Sequence, residues 1–142
     1  MQFINYLSPP AQVIYKQLVK KITVVENSSK CLSNSDAYGW YSSSTKIMHI
    51  CTSTILKNKS YINYFDETLL HESTHFAQHC KGNGIRMVKL GVNSIYLPDN
   101  KLKDVRNSLK YSSKEYYEIE KEAYFLEDKP KILNTFLKKY CF

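Results

Sequence analysis

The sequence of 142 residues has little glycine, proline or arginine: four glycines, four prolines and two arginines, Arg86 and Arg106. It also lacks a long apolar run, and no stretch approaches the roughly twenty apolar residues that a helix needs to span a bilayer. No internal repeat or low-complexity linker divides the chain. These absences predict a single domain over residues 1–142.

The N-terminal segment has no uninterrupted apolar stretch of the signal-peptide type, because Pro9 and Pro10 fall where such a stretch would run. We therefore expect a soluble, cytoplasmic protein with no membrane partner.

The charge is predominantly of one sign, with 20 basic and 13 acidic side chains and a net charge of +7. A basic surplus can indicate nucleic-acid binding. The lysines are dispersed, however, with adjacent pairs only at Lys20-Lys21 and Lys138-Lys139, and clustered arginines able to grip phosphate are missing. We expect no specific nucleic-acid partner.

The four cysteines, Cys31, Cys51, Cys80 and Cys141, are widely separated and form no C-x-x-C pair. This spacing excludes a cysteine-only zinc knuckle and a dithiol redox motif. In a chain without an export signal, buried free thiols are the favoured interpretation, and disulfide bonds are the alternative.

Hydrophobic periodicity and capping residues predict strands early in the chain and helices late, which is typical of the α+β class. The expected order is an N-terminal helix, short antiparallel strands, a long helix and three C-terminal helices. The predicted elements are a helix at Pro9 to Lys20, a strand at Ile22 to Glu26, a loop at Asn27 to Ser35, a hairpin of strands at Tyr38 to Ser42 and Lys46 to Ser53 turning through Ser43 and Ser44, a helix at Tyr61 to Cys80, an irregular segment with some strand at Gly84 to Asn100, and helices at Asp99 to Leu109, Ser113 to Glu127 (with a capping box of Ser112 and Glu115) and Pro130 to Tyr140.

The most informative stretch is the H-E-x-x-H motif at residues 71–75, within the long helix. Residues four apart lie on the same helical face, so His71 and His75 can reach one metal ion at a Zn–N distance of about 2.0–2.1 Å. Glu72 lies about 100° round the helix, where it can accept a proton from a metal-bound water without being a ligand. The motif predicts a zinc site in which Glu72 is the general base.

The other face of this helix carries Leu69, Leu70, Phe76 and Ala77, which predicts that this face packs into the core while the histidines face a cleft. The alternative is a surface helix with two solvated histidines.

The third ligand must come from elsewhere in the chain. His79 continues the histidine series, but it lies about 12 Å from His71 along a straight helix and no glycine breaks the helix between His75 and His79. We therefore expect His79 to be a surface residue or to support a ligating side chain.

Glu120 is the favoured third ligand. It lies within an arc of apolar and tyrosine side chains (Tyr116, Tyr117, Ile119, Ala123, Tyr124), where a carboxylate is costly unless a cation meets it. Glu115, Glu118 and Glu122 fall on the opposite side with lysines, where solvation and local ion pairs are expected. Glu127 shares the arc of Glu120, and it is interpreted as a helix-end carboxylate that reaches solvent.

These motifs resemble the H-E-x-x-H zincins of the gluzincin type, whose third ligand is a glutamate on a later helix. In several branches that glutamate opens a Glu-x-x-Ala pattern, which Glu120 and Ala123 match, while Tyr124 stands where a small polar residue is usual. The resemblance covers the two ligand-bearing helices, about a quarter of the chain. It implies a zinc metallopeptidase with a peptide or protein substrate.

The resemblance also implies an edge strand on which the substrate docks, and residues 46–53 are one candidate, with an ordinary core strand as the alternative. Zincins use a Tyr or His to stabilise the oxyanion. Tyr124, Tyr117 and His79 are candidates for this role or for hydrogen-bonding a ligand, and Tyr116 and His49 are further candidate donors.

Two alternatives remain open. Cys31-Leu32-Ser33 resembles the metal-binding Cys-Leu-Ser of peptide deformylases, although no glycine-rich segment precedes it. The second alternative is a non-catalytic module, in which zinc joins the two helices and the surface binds a partner. Structural zinc, however, is usually bound by four protein ligands, most of them thiolates. The sequence predicts no oligomeric state.

Overall fold

The computed structural model describes residues 2–33, 36–108 and 113–142. They form a small sheet and a larger set of helices, so the predicted α+β class is confirmed. In chain order the elements are a 3₁₀ helix at Phe3–Tyr6, α1 at Pro9–Leu18, β1 at Thr23–Glu26, α2 at Ser29–Ser33, β2 at Gly39–Ser42, β3 at Ile47–Ile50, α3 at Thr52–Leu56, α4 at Tyr61–Lys81, α5 at Asp99–Ser108, α6 at Lys114–Leu126 and α7 at Pro130–Tyr140.

The sheet has the strand order β1-β3-β2. β2 and β3 pair antiparallel as the predicted hairpin, with Gly39 opposite Ile50. β1 pairs parallel with β3, with Thr23 opposite Ile47, so the prediction of antiparallel strands is wrong for this pair. The reason is that the chain runs from β1 to β3 through α2 and β2 rather than through a tight turn. Such a long connection permits parallel pairing.

The segment proposed as a docking edge, residues 46–53, is not an edge. β3 occupies the centre of the sheet, and its last predicted residues belong to α3 instead. Among the described strands, the edges are β1 and β2, and β2 is the edge that packs against α4.

Two short helices and one loop differ from the predictions. α2 lies within the predicted loop, and residues 84–98 contain no strand. A five-residue helix such as α2 or α3 is too short to show a helical period, so its sequence cannot be distinguished from a loop or strand. Ser35, Leu109 and Ser112 lie outside the described residues; α6 is capped by Ser113, whose hydroxyl accepts a hydrogen bond from Tyr116 N at 3.4 Å.

The long helix α4 is the central element, packed against α1, α6, α7 and β2. Its predicted apolar face is buried, since Leu69, Leu70, Phe76 and Ala77 are at most 6 % exposed. Residues from the surrounding elements complete this core: Ala11, Ile14, Leu18, Met48, Ile50, Leu126, Leu133 and Leu137. Because one face of α4 is held in the core, the opposite face has a fixed direction.

Both cysteine pairs are disulfide-bonded, so the expectation of free thiols is wrong. Cys31 in α2 pairs with Cys51 after β3, and Cys80 near the end of α4 pairs with Cys141, with Cα–Cα distances of 5.4 Å and 5.6 Å. These distances lie within the normal range for disulfides. The fold brings together residues whose sequence spacing carries no pairing signal.

No helix among the described residues has both the length and the apolarity needed to cross a bilayer.

Candidate metal centre

Helix α4 presents His71 and His75 on the face that turns away from the core. Their ring centroids are 5.0 Å apart and the ring planes meet at 77°. His75 is 7 % exposed and the side chain of His71 13 % exposed, so both rings are largely shielded from water. The spacing of four residues therefore places two imidazoles side by side in a buried setting.

Helix α6 brings the carboxylate of Glu120 to both rings. Glu120 Oε1 lies 2.7 Å from His75 Nε2, and Glu120 Oε2 lies 3.5 Å from His71 Nε2. One candidate ligand atom from each of the three residues lies within 4.8 Å of the others. The residues singled out as ligands from the sequence are thus brought together, on two neighbouring helices.

The orientation of His75 follows from its partner Gln78, which is fully buried. The Gln78 amide nitrogen donates to Ile119 O at 3.0 Å and to Glu122 Oε1 at 2.9 Å, and both of these atoms are acceptors. The amide oxygen must therefore face His75 Nδ1, 2.9 Å away, and Nδ1 must carry the hydrogen. In the neutral ring, this leaves a lone pair on Nε2, directed at Glu120.

His71 is held in the same way by Glu127. His71 Nδ1 donates to Glu127 Oε2 at 3.0 Å, and the other carboxylate oxygen of Glu127 pairs with Lys101 Nζ at 3.1 Å. Glu127 is only 7 % exposed, so its interpretation as a solvent-reaching carboxylate is wrong. Carboxylates in this position fix the tautomer of a ligating histidine and raise its basicity.

In the neutral rings, both Nε2 atoms are hydrogen-bond acceptors, and each faces a carboxylate oxygen of Glu120, which is also an acceptor. Such contacts require a cation, which is either a proton on each ring or a metal ion. Burial alone lowers the histidine pKa values, but hydrogen bonds to Glu120, together with one to Glu127 for His71, raise both of them above the usual value. Burial raises the pKa of Glu120, but the two histidines more than reverse this effect and lower it. This donor set fits zinc, which binds imidazole nitrogen and carboxylate oxygen.

Glu72 lies beside this cluster on α4 and is 8 % exposed. It forms part of the wall of an open cleft of about 420 Å³, as do His71 and Gly39 at the start of β2. A Cβ atom at Gly39 would lie 2.7 Å from His49 O and 2.9 Å from Thr68 Cγ2, so glycine permits the edge strand to approach α4 this closely. The cleft connects Glu72 with the edge of the sheet.

Two tyrosines of α6 are influenced by the charges of this cluster. Burial, followed by the charges of Glu120 and Glu72, raises the pKa of the Tyr116 hydroxyl to about 12. The Tyr124 ring packs edge-on against His71 with centroids 4.6 Å apart, and burial, followed by the charge of Glu120, raises its pKa. Both hydroxyls therefore stay protonated at neutral pH and can donate hydrogen bonds.

The other candidate donors lie elsewhere. His79 is 4 % exposed and bonds through Nδ1 to the Tyr41 hydroxyl at 3.0 Å, so it is neither a surface residue nor a partner of a ligand. His49 bonds to Ser28 at 3.0 Å and stacks on Trp40. Among the described contacts, Tyr117 has no hydrogen bond or ring contact to the cluster.

Comparison with known protein families matches residues 3–142 to a domain of unknown function, DUF8637. The chain belongs to this family. No curated protein and no solved structure matches it.

In this DUF8637 chain, the sequence interpretation of Glu122 is wrong. Glu122 is 1 % exposed, and besides Gln78 its carboxylate accepts the backbone N–H groups of Leu90 at 2.7 Å, Gly91 at 3.0 Å and Val92 at 3.4 Å. These three successive N–H groups form a concave anion site, and they bind the carboxylate where water was expected to do so. The helical wheel locates Glu122 beside lysines, but the segment that covers it comes from another part of the chain.

The structure argues against the deformylase alternative, in which Cys31 would be a metal ligand. Cys31 is bonded to Cys51, so its sulfur is not available as a metal ligand, and Cys31 does not belong to the cluster formed by His71, His75 and Glu120.

The contact of His71 with Glu127 makes a testable prediction. Replacing Glu127 with alanine is expected to weaken zinc binding by about 10-fold to 100-fold, because the His71 ring loses the carboxylate that fixes its tautomer. Competition with a chromophoric chelator measures the affinity. Glu115→Ala, an exposed change on the same helix, is the control and should bind zinc as the wild type does. Equal affinities for Glu127→Ala and the wild type would show that Glu127 does not support the site.

Proposed function

We propose that this protein is a zinc-dependent hydrolase, and most specifically a peptidase. The observation that carries the proposal is the convergence of two imidazole Nε2 atoms and the Glu120 carboxylate, with Glu72 beside them in the wall of an open cleft. Three protein ligands fit a catalytic zinc site, which keeps a coordination position for water, better than a structural site with four.

His71, His75 and Glu120 would hold the ion. A bound zinc ion supplies Lewis acidity, which lowers the pKa of a coordinated water towards neutrality. Glu72 accepts the proton of the attacking water and passes it to the leaving amine, which is the usual role of a buried carboxylate next to the nucleophile. Glu127 and Gln78 hold the two rings in one tautomer, so no reorientation is needed during the reaction.

The Tyr116 hydroxyl is suited to stabilise the negative charge that develops on the substrate carbonyl oxygen. The charges of Glu120 and Glu72 act on this hydroxyl, and its raised pKa keeps its proton in place. The edge of β2 offers backbone groups to an extended peptide, and Gly39 brings this edge into the cleft wall. These features favour a peptide over a compact small molecule.

The two disulfides favour an oxidising compartment over the cytoplasmic location expected from the sequence, since cytosolic thiols are normally kept reduced. Fractionation of the source cells, with detection by an antibody, would test this part of the proposal.

Metal analysis is the direct test of the proposed function. Protein purified without added zinc is expected to contain about one zinc ion per chain, and His75→Ala, which removes one ring, is expected to contain almost none. The wild type is also expected to hydrolyse a mixed pool of quenched fluorescent peptides, with activity lost in chelator and restored by zinc.

His79→Ala provides the control for this measurement. It removes a buried histidine of the same helix that bonds to Tyr41 and not to the cluster, so its zinc content should match the wild type. Equal zinc loss in both variants would point to unfolding, whereas a wild type free of zinc and inactive with added zinc would overturn the proposal.

A further inference from the structure

The cleft beside His71 and Glu72 is bounded by four parts of the chain. These are the segment that leads into the start of β2, helix α4, helix α5, and helix α6 with the residue that follows it. Its lining residues include two tyrosines, Tyr38 and Tyr64, whose ring centroids are 5.4 Å apart.

The charge of this cleft is opposite to that of the whole chain. The chain carries a net charge of +7, yet the described residues that line the cleft include no lysine or arginine. Its lining includes five carboxylates, which are Asp36, Glu67, Glu72, Asp104 and Glu127. A concave surface lined by one sign of charge focuses the electrostatic field and raises the local concentration of oppositely charged ligands.

Glu67 is one of these carboxylates, and it makes no close ion pair with a described residue. Glu127 is engaged by His71 and Lys101, and Glu72 has the role of base. Within the described residues, no hydrogen bond or ion pair joins Glu67 to another group. Glu67 is partly buried, and burial, followed by the charge of Glu127, raises its pKa.

The nearby ammonium group of Lys101 does not neutralise Glu67 by direct contact. It lies 3.1 Å from Glu127 and 3.5 Å from Asp128. Burial and the charges of Glu127, Asp128 and Asp66 raise the pKa of Glu67 by more than the charge of Lys101 lowers it. A partly buried carboxylate in a surplus of negative charge is destabilising, so its presence in this cleft is accounted for if a cationic ligand meets it.

Glu67 lies on the same helix as two members of the cluster, His71 and His75. Glu67 precedes His71 by four residues on α4, so it lies on the same face about 6 Å away along the helix axis. Tyr64 lies on this face too, three residues before Glu67. The aromatic pair of Tyr64 and Tyr38 can cover the aliphatic stem of a long side chain and attract its charged end.

We propose that the substrate carries a lysine or arginine within about two residues of the bond that is cleaved, and that Glu67 binds this cationic side chain. The inference rests on the proposed peptidase function. It adds the substrate class and assigns Glu67 as a specificity-determining residue.

Binding and cleavage are measured separately, so that the two proposals can fail independently. The binding arm uses the Glu72→Gln protein as purified and two fluorescein-labelled peptides, Gly-Ala-Arg-Ala-Gly and Gly-Ala-Gln-Ala-Gly, followed by fluorescence anisotropy. The arginine peptide is expected to bind about tenfold more tightly, and added salt should reduce this preference.

Glu67→Gln in the same background is expected to bring the two affinities to within about twofold of each other. Glu115→Gln makes the same change in net charge at an exposed position that lines a different groove, and it should keep the preference. Equal binding of both peptides, no binding of the arginine peptide up to about 1 mM, or an unchanged preference in Glu67→Gln would each overturn the inference.

The cleavage arm compares kcat/KM of the wild type on longer versions of the same two peptides. A preference in binding without any cleavage would leave the assignment of Glu67 standing and remove the peptidase proposal. Equal cleavage of both peptides, with equal binding, would do the reverse.

Discussion

Zinc-loaded Glu72→Gln protein is expected to keep its metal and its fold but to hydrolyse peptides about 10³-fold more slowly than the wild type. Glutamine has the shape of glutamate but cannot accept the proton of the attacking water. Glu72 is not a member of the cluster formed by His71, His75 and Glu120, so the change leaves the candidate ligands in place. Measurement of kcat together with zinc content separates loss of the base from loss of the metal.

The outcome also distinguishes the two classes of function. Glu118→Gln on α6 provides a control for the loss of a carboxylate outside the cluster, and it should retain wild-type kcat. Undiminished hydrolysis in Glu72→Gln would exclude Glu72 as the base, and loss of zinc would make it a ligand instead. Stoichiometric zinc in a wild type that cleaves no peptide would favour the non-catalytic module, whose partner affinity would not depend on Glu72.

Removal of the disulfide between Cys80 and Cys141 is expected to lower the free energy of unfolding by about 4 kcal/mol. The two residues are 61 positions apart, so the crosslink restricts a long segment of the unfolded chain. The double variant Cys80→Ala/Cys141→Ala avoids an unpaired thiol. Urea unfolding followed by circular dichroism measures the change.

The other disulfide provides an internal comparison. Cys31 and Cys51 are 20 positions apart, so the same loop-entropy relation gives a smaller loss of about 3 kcal/mol for Cys31→Ala/Cys51→Ala. A thiol assay of the unfolded wild type should find no free sulfhydryl group. A loss below about 1 kcal/mol for the longer crosslink would contradict the expectation.

Local sequence signals are sufficient for the longer helices and for the histidine pair. The limits of α4, α6 and α7 agree with their predictions to within two residues, because capping residues and a helical period mark them directly. His71, Glu72 and His75 are related by helix geometry alone. Glu120 was found by a different signal, a carboxylate on an otherwise apolar arc, and the fold brings it to both histidines.

The remaining features depend on contacts that local patterns do not encode. The parallel pairing of β1 with β3 and the two disulfide pairings follow from the way the chain returns on itself, and four cysteines allow three connectivities. Glu127 carried a usable signal, since it lies seven residues after Glu120 on the same arc. Gln78 carried one too, as a residue three positions beyond His75 on the same helix.

The carboxylate of Glu122 links residues 90–92 to the candidate metal centre, although they are far from the motif along the chain. Its contacts run from the three peptide N–H groups through Gln78 to the ring of His75. Lengthening or cleaving this segment would therefore alter the ring that faces Glu120. A protein engineer who chose the segment as a neutral place for a tag would be changing the candidate metal centre from a distance.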